Sequence, residues 1–185
     1  MPARFPSLSS ALAGLAIPAA LIAFAPHPAA AQAPALDDPT IVAIFDAANT
    51  ADVETGELAA SRGHSTEVKE FGAMLARDHR MVRQQGRDLA AKLGVTPTPP
   101  AGDQSAKDHA ATMKRLRGLS GAEFDRAFLQ YEAKFHADVI AAVKTTLLPA
   151  ISNAEVKALV VKVAPAFEAH RLMAVELEKK LFASN

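Results

Sequence analysis

The sequence predicts an all-α protein that folds as a four-helix bundle, and two features of its 185 residues support this. Apolar residues recur every three or four positions through four long segments, which is the spacing of one face of an α-helix. No segment alternates apolar and polar residues over five positions without also fitting the helical spacing, and no Asn-Gly or Asp-Gly hairpin turn occurs. We therefore expect four long helices and no β-sheet.

The start of the chain has the pattern of a secretory signal peptide, which we assign to residues 1–31. Arg4 supplies the positive start, residues 8–25 form an apolar run, and small residues follow it. Cleavage is expected after Ala31, so that residues 32–37 form a short linker and the mature chain is periplasmic or associated with the outer membrane. An uncleaved N-terminal anchor is the less favoured alternative, because the apolar run is almost long enough to span a membrane. No transmembrane helix is expected in the mature chain.

The first two helices are predicted to form a hairpin. Asp38, followed by Pro39, is expected to cap a first helix that runs to about Arg62. Ser65 then caps a longer second helix, which ends at Gly94. Because only a few residues separate the two helices, they should pack against each other in opposite directions.

A crossover follows the first hairpin. Residues 95–103 contain three prolines and a glycine and cannot continue a helix, so this stretch is expected to cross the molecule. A short helix is predicted for residues 105–117. Two hairpins joined by a long crossover have the connectivity of a ferritin-like four-helix bundle, which we expect as one domain over residues 38–183.

The second hairpin is predicted from two capping boxes, in which a Ser is followed three residues later by a Glu. Ser120 with Glu123 opens a third long helix that runs to about Leu147, and Ser152 with Glu155 opens the last one. Within the last helix, Pro165 is expected to produce a kink, because proline removes a backbone hydrogen bond. On the second helix, Gly72 and Gly86 are expected to permit close approach of a neighbouring helix.

Composition excludes several classes of function. The chain has no cysteine, so it can form no disulfide, thiolate nucleophile, iron–sulfur cluster or covalently attached haem. Its 20 basic and 20 acidic residues balance, which argues against nucleic acid as a partner. No catalytic motif of a common enzyme class is present, so an enzyme is less expected than a binding protein.

One side chain of metal-ligand type is predicted on the apolar face of each long helix. Burying carboxylates and imidazoles is costly unless a hydrogen bond, an ion pair or a metal satisfies them, so four in one bundle core suggest a site. Imidazole together with carboxylate suits a divalent transition metal such as zinc, copper, iron or nickel. Glu132, one turn from a predicted ligand, is a spare ligand or supports one. The four predicted ligands are Glu54, His79, His136 and His170.

Two other interpretations remain open at this stage. The four residues could form a buried polar network in a non-catalytic cell-envelope module, which would bind an envelope protein or associate with itself. Alternatively, two of the histidines could hold haem non-covalently. An oxidase resembling ferritin is disfavoured, because the Glu-x-x-His pattern of di-iron enzymes is missing: the residues three before the histidines are Ala76, Ala133 and Phe167.

The stretch from about residue 40 to residue 181 resembles a family of exported bacterial proteins known as domain of unknown function (DUF) family 4142. The resemblance rests on residues 51–59, 67–79, 119–125 and 165–170. It implies a ferritin-like helical bundle with no established activity. Members tend to carry an acidic residue where Phe135 stands here, so one carboxylate that could support a metal ligand is missing. The family's Glu and His positions correspond to Glu54, His79, His136 and His170.

Overall fold

The computed structural model describes residues 36–183, and within this range the chain is helical with no strand. The predicted signal peptide and the first residues of the linker lie outside the described residues. The prediction of an all-α bundle is confirmed. The segments are α1 (Asp38–Arg62), α2 (Thr66–Leu93), α3 (Ser105–Arg117), α4 (Gly121–Ala142), a π-helical turn (Val143–Leu147), α5 (Leu148–Ala150) and α6 (Ala154–Phe182).

Helices α1 and α2 form one hairpin, α4 and α6 form the other, and the crossover with α3 joins them. Hydrogen bonds at the two ends of the bundle fix the direction of each helix. At one end, the carboxylate of Asp125 near the start of α4 accepts the backbone N–H groups of His64 and Ser65, just before α2. At the other end, Asp38 at the start of α1 accepts the N–H of Asn153, just before α6. Helices α2 and α4 therefore run parallel, as the predicted connectivity requires.

Two of the predicted helix caps are displaced by one residue. Asp37, and not Asp38, caps α1: its Oδ1 accepts the Thr40 N–H at 2.9 Å. Because Asp38 lies one residue inside the helix, its carboxylate is available for the start of α6. Asn153, and not Ser152, caps α6, since its Oδ1 accepts two backbone N–H groups of the first turn.

Of two other predicted caps, one is present and one is not. Ser65 caps α2 as predicted, with its hydroxyl accepting the Val68 N–H at 3.2 Å, and Gly94 ends that helix with a left-handed φ of 65°. Ser120 stands at the N-cap of α4 but its side chain makes no capping hydrogen bond, so the capping box predicted there is wrong. Gly121, the next residue, has a φ of 59°, which turns the chain into α4 differently from a capping box.

Helices α1 and α2 approach each other at a pair of glycines. A Cβ placed on Gly56 would lie 2.7 Å from the carbonyl oxygen of Gly72, and one on Gly72 would lie 2.6 Å from that of Gly56. Neither distance is compatible with a side chain, so this crossing requires glycine on both helices. The predicted role of Gly72 is thus confirmed. A Cβ placed on Gly86 would instead lie 3.0 Å from the ring of Phe45, so at this position the close neighbour is a side chain of α1.

The second hairpin contains two irregular turns. The third long helix reaches Leu147 as predicted, but its last five residues form a π-helical turn. Pro165 lies inside α6, which continues through it to Phe182.

In the part of the chain that the structure describes, no helix is both long and apolar enough to cross a membrane.

The core of the bundle is divided into two apolar clusters. One includes Phe71, Phe124 and Phe128 near the start of α4, and the other includes Ile41 and Leu147 near its end. Along every long helix, buried polar residues lie between the positions that belong to the two clusters. We call these residues the polar layer: Asn49, Asp52, Thr55, His79, Glu132, His136 and His170.

Candidate metal centre

The polar layer draws side chains from all four long helices. Helix α1 contributes Asn49, Asp52 and Thr55, and α2 contributes His79; Glu132 and His136 come from α4, and His170 from α6. Each of the seven residues is at most 5% exposed. Three of the four predicted ligands therefore lie together in the core, and so does Glu132, the predicted spare.

Neighbouring oxygens determine which nitrogen of His79 carries the proton. The Asn49 Nδ2 donates to the carbonyl of Phe45 at 2.7 Å, which turns its Oδ1 toward Nδ1 of His79 at 2.9 Å. An amide oxygen only accepts hydrogen bonds, so His79 Nδ1 must donate. Burial, reinforced by His136 and His170, lowers the pKa of His79 to about 2. The neutral ring therefore presents a free lone pair on Nε2.

His136 is held in a similar way by its own helix. Its Nδ1 donates to the backbone carbonyl of Glu132 at 3.0 Å, one turn earlier in α4. The other ring nitrogen, Nε2, is buried and has no hydrogen-bond partner among residues 36–183. When His136 is neutral, this nitrogen carries a lone pair inside the core.

His170 has contacts that a neutral ring cannot satisfy together. Its Nε2 lies 3.3 Å from Asp78 Oδ2, and its Nδ1 lies 3.1 Å from His79 Nε2. Burial is the main cause that lowers the pKa of His170, with His136 contributing, so the neutral form with a single N–H is favoured. If that N–H is donated to Asp78, the nitrogens of His170 and His79 face each other with two lone pairs. A metal ion between them would bind both.

The spacing of the three rings fits a metal ion. One ring nitrogen from each of His79, His136 and His170 lies within 4.8 Å of the others. Around a tetrahedral ion with metal–nitrogen distances of about 2.0 to 2.1 Å, ligand nitrogens lie roughly 3.3 Å apart. The 3.1 Å separation of His79 and His170 is close to this value, and His136 has a ring nitrogen within 4.8 Å of theirs.

Two buried carboxyl groups lie beside the histidines. Asp52 and Glu132 are both fully buried, and Thr55 donates its hydroxyl to Glu132 Oε1 at 2.7 Å. Both oxygens of Asp52 and Oε2 of Glu132 have no hydrogen-bond partner within residues 36–183. Burial, and then the negative charge of Glu132, raises the pKa of Asp52 well above its usual value.

The charge of these carboxyl groups is not balanced by a basic side chain. Among the described residues, none of the buried polar ones is Lys or Arg. Asp52, Glu132 and His136 also offer ligand atoms within 4.8 Å of one another. The Asp52 Oδ2 lies 3.3 Å from Nδ1 of His79, which connects the carboxyl pair to the histidines. A proton or a bound cation must therefore supply the positive charge at this level of the bundle.

The expectation that Glu54 faces the core is wrong. Its side chain is 48% exposed, and its Oε2 contacts Nε2 of His109 on α3 at 2.9 Å. Glu54 follows Asp52 by two residues, which on an α-helix is a rotation of about 200°. The inward carboxylate of α1 is thus Asp52. The side chain of His109, which meets Glu54, is 17% exposed.

Asn49, Asp52 and Thr55 were not selected as site residues from the sequence. A signal for all three exists, because after Phe45 the residues Asn49, Asp52 and Thr55 continue the helical spacing that begins at the buried Ile41. Phe135 stacks on the ring of Tyr131 at 5.4 Å, while Asp52 and Glu132 supply carboxyl groups to the layer.

Comparison with known proteins identifies a family for this chain. A family model described as "Domain of unknown function (DUF4142)" matches residues 23–177, which is most of the chain. No curated protein and no solved structure matches. What the site does chemically must therefore be argued from its own residues.

Proposed function

We propose that this chain, which belongs to the DUF4142 family, binds one divalent transition-metal ion in the core of its helical bundle. The ligands would be His79, His136 and His170, with Asp52 and Glu132 as the adjacent carboxylates. Imidazole and carboxylate donors suit zinc, copper, iron or nickel. The carboxylates also balance the charge, since two negative groups neutralise one divalent ion.

One observation supports this proposal above the others: the outward nitrogens of the three histidines all face oxygen acceptors. Asn49 and the backbone carbonyl of Glu132 accept hydrogen bonds from His79 and His136, and Asp78 Oδ2 lies 3.3 Å from Nε2 of His170. Metal-binding histidines in proteins are typically held this way, because the second nitrogen's hydrogen bond orients the ring and fixes its tautomer. Of the remaining nitrogens, Nε2 of His79 and Nδ1 of His170 lie 3.1 Å apart, and Nε2 of His136 is buried without a hydrogen-bond partner among residues 36–183.

The metal content of the purified, tag-free protein tests the proposal. We expect about one zinc, copper, iron or nickel ion per chain by elemental analysis, and d–d absorption bands typical of nitrogen and oxygen ligands when metal-free protein is titrated with Co²⁺. Replacing all three histidines by alanine should abolish both signals. The matched control is His64→Ala, because His64 is exposed at the start of α2. Metal well below one ion per chain, unchanged in the triple variant, would contradict the proposal.

A pair of conservative variants tests which acidic residue of α1 takes part. Asp52→Asn keeps the shape of the side chain but removes its charge, and a residue that supports a metal site typically contributes about 10-fold to 100-fold in affinity. Glu54→Gln makes the same chemical change on the opposite side of α1. We expect weaker Co²⁺ binding only in Asp52→Asn, and equal affinities in the two variants would rule out the assigned role of Asp52.

A second candidate function is a stabilising polar network in a non-catalytic envelope module. The hydrogen bonds that join Asn49 to His79 and Thr55 to Glu132 favour it, because they connect the helices without any ion. On this hypothesis His79→Leu changes the melting temperature but no ligand affinity. A folded His79→Leu protein that selectively loses metal affinity would exclude it.

We also propose that the protein is exported, because residues 1–31 have the pattern of a secretory signal. The test is the mass of the chain recovered from periplasmic and membrane fractions. A chain beginning at Gln32 supports cleavage after Ala31. A chain recovered from the inner membrane with residues 1–31 still attached would contradict cleavage.

A further inference from the structure

A second possible binding site is a pocket of about 380 Å³ between α1, α6 and the end of α4. Its walls are apolar apart from Asn49 and two charged residues at the rim, Lys144 and Glu168. Pockets that bind small molecules are typically about 300 to 1,000 Å³, mostly apolar, with a few polar groups that fix the ligand's orientation. This pocket has that size and composition.

Irregular backbone forms two walls of the pocket. On one side, Val143 and Leu147 belong to the π-helical turn, in which the Leu148 N–H bonds to the Val143 carbonyl. On the other side lies Pro165, which has no N–H to donate to the carbonyl of Val161. Single π-helical turns inside α-helices occur frequently at functional sites. Both departures from regular helix thus border the same space.

The pocket reaches the polar layer at Asn49, but none of the three histidines lines it. Asn49 lines the pocket and bonds to His79, and Phe167 lines it while its ring packs 5.3 Å from that of His79 and 6.0 Å from that of His136. A molecule in the pocket would therefore contact the supports of the histidines and leave the histidine nitrogens free.

The charges at the rim indicate what the pocket would bind. Arg171 donates two hydrogen bonds to the carboxylate of Glu168, at 3.0 and 2.7 Å, so the negative charge is paired. Lys144 is exposed and forms no direct ion pair with any residue between 36 and 183, although its charge adds to that of Arg171 in lowering the pKa of Glu168. The pocket thus combines an apolar interior with one unpaired positive charge at its edge.

We propose that this pocket binds a monocarboxylate with a single alkyl chain, such as a medium-chain fatty acid. The alkyl chain would occupy the apolar interior, and the carboxylate would pair with Lys144. One cation matches one negative charge, and the volume suits one chain better than a two-chain lipid. The proposal does not depend on whether the polar layer holds a metal.

Calorimetric titration of the purified protein with decanoate and with 1-decanol tests whether the charge of Lys144 contributes to binding of a carboxylate. We expect saturable binding of one decanoate per chain, roughly fivefold tighter than 1-decanol, as an exposed ion pair allows. Lys144→Gln should remove this difference. Lys157→Gln is the control, because Lys157 is exposed on α6 outside the pocket. No saturable binding, equal affinities for both ligands, or a preference that survives Lys144→Gln would overturn the proposal.

Two variants that replace an alanine of α6 by phenylalanine test whether decanoate binds in this pocket. Ala164 lines the pocket, whereas Ala166 is exposed on α6 and does not. We expect Ala164→Phe to weaken decanoate binding at least tenfold and Ala166→Phe to leave it unchanged. Equal affinities in the two folded variants would place the ligand elsewhere and refute the assignment. If circular dichroism shows that Ala164→Phe does not fold, the Lys144 comparison decides alone.

Discussion

The close crossing of α1 and α2 allows a quantitative prediction for Gly72→Ala. The new Cβ would lie 2.6 Å from the carbonyl oxygen of Gly56 and 2.7 Å from both the Cβ of Ala59 and the backbone nitrogen of Ala60. Ordinary contacts begin near 3.4 Å, so the two helices must separate locally by several tenths of an ångström. Two of the three close atoms belong to the backbone and cannot rotate away.

The expected cost follows from two opposing terms. Overpacking a well-packed core costs about 1 to 3 kcal/mol, and the rigid backbone contacts favour the upper end of that range. Replacing glycine by alanine inside a helix contributes about 1 kcal/mol in the stabilising direction. We therefore expect a net loss of about 2 kcal/mol in the free energy of unfolding. For a domain of this size, that lowers the melting temperature by about 4 to 8 °C.

Thermal and urea unfolding, followed by circular dichroism at 222 nm, would measure this loss. The matched control is Gly118→Ala, since Gly118 has a φ of −78° and a Cβ there would meet nothing closer than 3.4 Å. The control should stay within about 0.5 kcal/mol of the parent protein. If Gly72→Ala is as stable as Gly118→Ala, the crossing does not require glycine and the argument fails.

Two further predictions concern buried hydrogen bonds and use urea unfolding. Thr55→Val removes the hydroxyl that donates to Glu132 and leaves another buried carboxylate oxygen unpaired, which should cost about 1 to 3 kcal/mol. The exposed Thr145→Val should cost much less, and equal losses would contradict the prediction. Asp125→Ala removes the acceptor of two backbone N–H groups before α2 and should cost about 2 to 3 kcal/mol. The control is Asp108→Ala, because Asp108 is exposed. Equal free energies of unfolding in the two variants would show that the hydrogen bonds to Asp125 contribute little.

The helices and their connectivity could be predicted because apolar spacing, glycine and proline act locally. The crossover prolines and the glycine at the end of α2 depend on nothing beyond their neighbours. The predicted helix caps were wrong by one residue where two residues suited to capping are adjacent, as at Asp37 and Asp38 or Ser152 and Asn153. Local preference is similar for both members of such a pair, and only their contacts with another helix decide.

The sequence predicted only part of the candidate site, because it defines the inner face of some helices better than that of others. His79, His136 and His170 lie within strong apolar stripes, so their inward direction could be inferred. Helix α1 carries small or apolar residues on most of its sides, and its sequence therefore defines an inner face poorly, which allowed Glu54 to be chosen in place of Asp52. The tautomers of His79 and His170 depend on Asn49 and Asp78, which lie on neighbouring helices, and therefore have no local sequence signal.

The polar layer also restricts how the two hairpins can dock. His79 in one hairpin meets His170 in the other, and Thr55 likewise meets Glu132. Sliding one hairpin by a single helical turn, about 5.4 Å, would place these polar groups against the leucines and phenylalanines of the apolar clusters. Alternative alignments thus carry the cost of several unpaired buried groups, much as one buried asparagine selects the register of a coiled coil. The layer therefore favours a single alignment of two hairpins whose alanine-rich surfaces would otherwise allow several.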